Sequence, residues 1–340
     1  MQESLEPPSD PVELVLAGVD EAGLGPLLGS LAIGYSVLAV PASEPDPWKC
    51  LRGTVARSPL AKKRLIVADS KLLFRRNAKG ARRLEATALS FLSAGERVGP
   101  LPCPAMQLFC GTLGPDRRIV RAHPWYEHLG QLPRHNPPET IELSAALLAR
   151  ALARSGVTLL DAGVRIVPAG ELNASYAETA NKALSVWTKV LEILRHLWNT
   201  HRARRLRVTV DMLGGRRRYG ALLARAFPEA SVSLLEERLG RSAYRLEARA
   251  RPEDPEGGEG MELDFRVQAD RECFPVALAS CLAKYARELE MDAFNAYFAE
   301  LAPELRPTAG YRQDGARWLA EAGAAIAKSG LAPEVLVRTR

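Results

Sequence analysis

Cysteine is scarce in this chain and poorly spaced for structural work. The 340 residues hold five, at Cys50, Cys103, Cys110, Cys273 and Cys281, and no two form a C-x-x-C pair. An odd number without close spacing argues against a secreted disulfide framework and against a structural zinc site. Reduced thiols in a cytoplasm are the expected state, so a cytoplasmic location is expected. Long apolar runs are also missing: none reaches the roughly 18 residues that a membrane-spanning helix requires, so no membrane partner is expected. The opening MQESLEPPSDP is acidic and proline-rich, which fits neither a signal peptide nor a transit peptide, and residues 1–10 are expected to be disordered. There is no internal repeat and no coiled-coil heptad. Three of the five histidines, His123, His128 and His135, fall in HPWYEHLGQLPRH without the tight spacing of a metal-binding helix, and surface or structural roles are expected for them.

What is present is the balance of a globular protein, 47% hydrophobic and 25% charged residues. Net charge is +6, and the excess is uneven. Arginine and lysine gather at 62–83 and again at 202–218. Such patches suit a phosphate backbone, because each neutralised phosphate releases a counterion. Arginine used simply as a solvated residue would give the same count, so charge alone leaves both readings open.

Periodicity predicts alternating strands and helices. VELVLAGVD (12–20) and LAIGYSVLAV (31–40) read as buried strands, and the short connection between them makes the pair antiparallel. Helices are expected over about 78–94, about 140–155 after an ETIELS cap, 172–201 as one long amphipathic unit, and 274–301. Further strands are expected at 164–171, 205–211 and 231–237, with a hairpin over 244–269. Residues 97–140 read mostly as loop. The pattern implies an α/β fold with a mixed sheet flanked by helices.

Three strand-like segments end on acids, at Asp20-Glu21, Asp211 and Asp270. Strand ends in an open α/β sheet converge on one edge, where such folds place their sites. Four carboxylates meeting there repel one another unless divalent cations neutralise them, and Mg²⁺ and Mn²⁺ prefer oxygen ligands. Two ions about 4 Å apart can activate water and stabilise the leaving oxygen of a phosphodiester. Taken singly, each acid reads more readily as an ordinary solvated turn residue.

The residues themselves carry a resemblance. VDEAGLGPLLG resembles the D-E-A-G-R-G-P opening of the type 2 ribonucleases H (ribonuclease HII), and ADSK resembles that family's D-S-K segment. VDMLGGRRRYGALLARAFPEA is similar to the segment bearing its third acid in archaeal and eukaryotic members. QADRECFPVALASCLAKYARELEM and AGYRQDGARWLAE, the latter followed by VRTR, are similar to its last two motifs. The five matches keep family order over about residues 12–340. The resemblance implies a ribonuclease H-like fold and a metal-dependent endonuclease with Mg²⁺ or Mn²⁺, two ions, as cofactor. Its partner would be an RNA–DNA hybrid, or duplex DNA containing ribonucleotides. Cleavage would leave 5′-phosphate and 3′-hydroxyl ends. Asp20, Glu21, Asp211 and Asp270 match the metal-binding carboxylates. Gly23, Leu24, Gly25, Lys71, Lys284 and Tyr311 match substrate-contacting positions, Tyr311 against the sugar of the cleaved ribonucleotide. Ser70 matches either a phosphate contact or a helix N-cap. Arg287 and Glu288 occupy the family's R-D positions, and a structural ion pair with Lys284 is the preferred reading for them.

Two departures stand out. Gly23-Leu24-Gly25 replaces G-R-G, which leaves glycines whose backbone amides can approach a phosphate but removes a guanidinium fork. The expected organisation is a catalytic domain over 11–301, with an insertion over about 97–160 and the 244–269 hairpin, then a 302–340 segment carrying Tyr311. The insertion is open to decoration, a nucleic-acid grip or a partner surface. A monomer is expected, with a partner subunit left open. The alternative function is non-catalytic nucleic-acid binding on the same fold.

Overall fold

Branched and aliphatic residues dominate residues 13–40 and bury both faces of two long strands. The structure is a computed structural model and describes residues 13–109, 122–212, 216–249 and 260–339. The expected N-terminal disorder, Cys110 and the Pro/Glu/Gly connection of the hairpin lie outside them. The main sheet has seven strands: β1 (Glu13–Ala22), β2 (Leu31–Pro41), β3 (Thr158–Val167), β4 (Leu206–Asp211), β5 (Ala230–Arg238), β6 (Arg241–Ala248) and β7 (Gly260–Arg266). Their order across the sheet is β3-β2-β1-β4-β7-β6-β5. β1 runs antiparallel to β2 and parallel to β4, and β4 runs parallel to β7. The expected hairpin is present as β6 and β7, paired antiparallel from Arg241 opposite Arg266 to Glu247 opposite Gly260.

The fold is therefore α/β, with a mixed sheet covered by helices on both faces. The longer helices are α1 (Ala78–Ala94), α2 (Pro138–Ser155), α3 (Ala169–Thr179), α4 (Lys182–His201), α5 (Gly220–Ala226), α6 (Phe274–Leu301) and α7 (Arg312–Glu321). Strand alternation splits the core in two. Leu14 and Leu16 of β1 face α1, α2 and α6, whereas Val15, Ala17 and Val19 face α4 and α5. α6 is apolar nearly all round, as a helix sunk between layers must be. It presses directly on β2: a Cβ at Gly34 would stand 2.1 Å from the Ala279 carbonyl oxygen. That contact fixes the α6 N-terminus beside the C-terminal end of β1.

Several expectations need correction. The single helix over 172–201 is two helices, because Ala180 adopts the left-handed conformation and Asn181 caps α4 by accepting from the Leu184 amide at 3.0 Å. β3 begins at Thr158 and ends at Val167, earlier at both ends than expected. α2 begins at Pro138 with no side-chain cap, so the ETIELS segment lies inside the helix. The 97–140 region holds a small antiparallel pair, Cys103–Pro104 with Gln131–Leu132, and a 3₁₀ helix, Pro124–Leu129. No helix among the described residues is long and apolar enough to cross a membrane.

Candidate active site

Asp20 and Glu21 stand just before the last residue of β1, Ala22, and Asp211 closes the adjacent parallel strand β4. The register that sets Val19 opposite Val210 places these acids side by side. One donor oxygen from each of Asp20, Glu21 and Asp211 lies within 4.8 Å of the others. Asp270 stands outside that group, on a short 3₁₀ turn after β7 that opens with Gln268 in the left-handed conformation. It is nonetheless close enough for its charge to act on Asp20 and Glu21.

Burial and mutual repulsion dominate the electrostatics. Burial holds the Asp20 carboxyl well above its usual range, and the charges of Glu21 and Asp211 push the same way. Glu21 is pushed up to about 8, first by burial and then by Asp211. Asp211 is raised by burial, and the Ala269 amide, which donates to it at 2.8 Å, opposes the rise. Asp270 is raised to about 6 by burial and by the charges of Asp69 and Asp211. The exposed Lys71 is a cation acting on Glu21, Asp211 and Asp270, and Arg271 acts on Asp270 as well. Like charges this close destabilise one another unless something cationic shares the site. The donors are all carboxylate oxygens, the set that Mg²⁺ and Mn²⁺ accept.

No protein-family model matches the chain, and no curated protein matches it. Solved structures do. The ribonuclease HII of the PCNA:RNase HII complex from Archaeoglobus fulgidus is similar over 96% of this chain and 95% of its own, at TM-score 0.41 and 16% identity. The ribonuclease H2 of Pyrococcus horikoshii OT3 is similar over 95% of this chain and 92% of its own, at TM-score 0.38 and 15% identity. A Bst ribonuclease HIII solved in complex with Mn²⁺ is similar over 97% of this chain and 67% of its own, at TM-score 0.35 and 11% identity.

The remaining sequence candidates divide by surroundings. Asp69, not Ser70, is the N-cap of the short helix Ser70–Leu73, accepting from the Lys71 amide at 2.9 Å. Ser70 is instead buried, with its hydroxyl 3.0 Å from that of Ser280. Lys284 pairs with Glu288 at 2.5 Å and sits 4.7 Å from the centre of the Phe74 ring. Arg287 takes no part in that pair: it is fully buried and donates to the carbonyls of Leu28 and Ala309. Tyr311 is 46% exposed at the start of α7, its ring 5.5 Å from the Arg287 guanidinium carbon.

The glycine turn is asymmetric. Gly23 has φ +89 and faces Arg287, whose Nε would stand 2.2 Å from an added Cβ, so no other residue fits without rearrangement. At Gly25 an added Cβ meets no protein atom within 4 Å, so that side of the turn is open. Leu24 lies partly buried against the core on the α4 side. The C-terminal segment fastens the turn: the Leu27 amide donates to Gly310 O at 2.7 Å, and Arg338 donates to the carbonyls of Gly29 and Gly23.

The histidines take structural places. His123 is buried against Trp125 and Tyr126, His128 stands 3.5 Å from Glu300, and the His135 amide donates to Glu85. Sequence reasoning missed three residues. Asp69 adds a fifth negative charge acting on Asp211 and Asp270, and its signal was an acid placed directly before a helix. Ser280, whose hydroxyl donates to Ser70, lies close enough to Asp20 to oppose the rise of its carboxyl, and a serine inside an apolar helix was the only hint of it. Arg338 is buried beneath the glycine turn, and nothing in a terminal arginine signals that.

Proposed function

We propose that this chain is a divalent-metal-dependent endonuclease that hydrolyses the RNA strand of RNA–DNA hybrids, or ribonucleotides embedded in duplex DNA. One observation carries the reading: the donor oxygens of Asp20, Glu21 and Asp211 lie within 4.8 Å of one another at the ends of neighbouring parallel strands. Acids held this close weaken the metal-free fold, whereas an oxygen-only donor set suits Mg²⁺ or Mn²⁺. Asp270 is assigned as the fourth ligand, on the turn that Asp211 holds through the Ala269 amide. Divalent ions bound there supply Lewis-acid activation of water and neutralise charge on the phosphate.

The chain's own side chains do the rest. Lys71 draws the phosphate backbone toward the acids. Tyr311 offers its exposed ring to the ribose, and the amides around Gly23 and Gly25 approach a phosphate oxygen. The Ala269 amide holds Asp211 in place. Specificity for RNA in a hybrid rests on the five ordered motifs. We assign residues 11–301 to the catalytic unit and 302–340 to a closing segment, supported by the pairing of Leu28 with Val337.

The test is incubation of purified protein with labelled hybrid, and with duplex DNA holding one ribonucleotide, each with Mg²⁺, Mn²⁺ or chelator. Cleavage confined to RNA positions and dependent on the cation is expected. Tight binding of both substrates without cleavage under any cation would replace this reading with non-catalytic nucleic-acid binding, which Leu24 in the glycine turn favours.

A further inference from the structure

The turn that carries Asp270 is only three residues long, Ala269–Arg271, and the charges of Asp69 and Asp211 push against its carboxylate. Repulsion of that kind drives a short turn outward unless something holds it. One tie lies inside the acid cluster, from the Ala269 amide to Asp211. A second lies outside it: the Arg57 guanidinium donates to the Arg271 carbonyl.

Arg57 is itself held in place. It directly follows Val55–Ala56, which pairs in parallel with Leu65–Ile66, and the Val67 amide donates to the Ala56 carbonyl at 3.0 Å. Its guanidinium carbon lies 4.3 Å from the centre of the Trp48 ring, within cation–π range. Trp48 is buried in the short helix Pro47–Cys50, where the Asp46 side chain accepts from its amide at 2.9 Å. The Trp48 indole donates to the Val67 carbonyl at 2.9 Å, and its ring meets Phe274 edge-on with centroids 5.2 Å apart. Val67 stands two residues before Asp69, and Phe274 opens α6 three residues after Arg271. One indole therefore joins the segment bearing Asp69 to the start of α6. The arginine stacked on that indole reaches the turn that precedes α6.

We infer that Arg57, set on the Trp48 ring, is a positioning residue that holds the Asp270 turn against the other three acids, so that the fourth carboxylate stays within reach of a cation. A guanidinium on a carbonyl forms a charge-assisted hydrogen bond, stronger than a neutral one. Because it ends on the backbone, it occupies no carboxylate oxygen of the cluster. Groups that orient metal ligands from outside change metal affinity about ten- to a hundredfold when they are lost. The role of Asp270 as a ligand rests on the nuclease reading, whereas the hold on its turn does not.

The test uses the full chain and Arg57→Met, which keeps the stem and removes the donors. Hydrogen exchange over residues 268–273 is followed by mass spectrometry in chelator, and Mn²⁺ affinity is measured by calorimetry after the chelator is removed. Amide protection over 268–273 should fall severalfold in the variant, with the melting temperature in chelator unchanged. Mn²⁺ affinity should fall about tenfold. Cleavage of an RNA–DNA hybrid should show kcat reduced at limiting Mn²⁺ and restored at excess, with KM for the hybrid unchanged. Arg57 is exposed, so a direct touch on substrate is the competing role. Raised KM with unchanged Mn²⁺ affinity would assign it that role and overturn the positioning one. Unchanged protection with unchanged Mn²⁺ affinity would overturn it too. So would a lowered melting temperature with a loss that excess Mn²⁺ fails to restore, since that marks an arginine serving the whole fold. If the parent itself binds no Mn²⁺, the nuclease reading fails, and protection over 268–273 alone decides whether Arg57 holds the turn.

Discussion

The Asp211 carboxylate accepts a hydrogen bond from the Ala269 amide at 2.8 Å. One side chain thus does two jobs: it contributes to the cluster with Asp20 and Glu21, and it anchors the turn that carries Asp270. Because β4 and β7 are parallel neighbours, with Asp211 opposite Arg266, the turn after β7 folds back across the end of β4.

Asp211→Asn keeps the volume and an acceptor for Ala269 but removes the charge. Hydrolysis should fall at least about a hundredfold, since even groups that only orient metal ligands cost ten- to a hundredfold. The metal-free melting temperature should hold or rise, because one repelling charge is gone. Unchanged turnover in folded Asp211→Asn protein would remove this residue from the chemistry.

Metal removal and pH should be linked through the same acids. In the metal-free fold Glu21 titrates at about 8 against an ordinary 4.5, and Asp270 at about 6 against 3.8. Both folded values are raised, so their stabilising contribution is fully present below the unfolded values and is lost as pH rises through the folded ones. Melts in chelator should therefore show stability declining between about pH 4 and 8, and Mn²⁺ should reverse the decline most strongly at the upper end. A flat profile in chelator would show that the acids are not mutually strained.

Much of this was readable from sequence, for physical reasons. β1, α1 and α6 were legible because apolar period and flanking residues agree, and α6 runs over Phe274–Leu301 as expected. The break between α3 and α4 was hidden, because amphipathic spacing continues across Ala180–Asn181 and an asparagine cap inside a polar stretch looks like any solvated residue. The acids at the strand ends could be placed at one edge from topology alone. Asp69 and Arg338 could not, since their places depend on packing between segments distant in sequence: Arg338 meets Gly29 across 309 positions.

Lys71 and Lys284 should separate cleanly. Lys71 is exposed beside the acids, so Lys71→Met should raise KM and reduce the salt dependence of binding by about one unit of slope, with little change in melting. Lys284 is held by Glu288 and Phe74, so Lys284→Met should lower stability by roughly 0.2–0.5 kcal/mol through the lost i,i+4 pair. If Lys284→Met instead raises KM with melting unchanged, the lysine leaves Glu288 to meet substrate.

The last prediction concerns the turn itself. Leu24 offers no charge, so discrimination of a single embedded ribonucleotide falls to Tyr311 and to the amides around Gly23 and Gly25. A lost charged hydrogen bond costs about 1.5–3 kcal/mol, or about tenfold to a hundredfold in discrimination. Extended hybrids should accordingly be cut as well as, or better than, duplex DNA with one ribonucleotide. Leu24→Arg should shift preference toward the single ribonucleotide, at some cost in stability because Leu24 is partly buried against the core. Tyr311→Ala should weaken cleavage of both substrates, and more where one ribose is the only feature recognised. Its ring is 46% exposed, so the loss should appear in kcat/KM and not in melting. Strong native preference for the single ribonucleotide, together with no response to Leu24→Arg, would place its recognition elsewhere. The carboxylate cluster would be untouched by that result, because its geometry depends on the β1–β4 register and not on the turn.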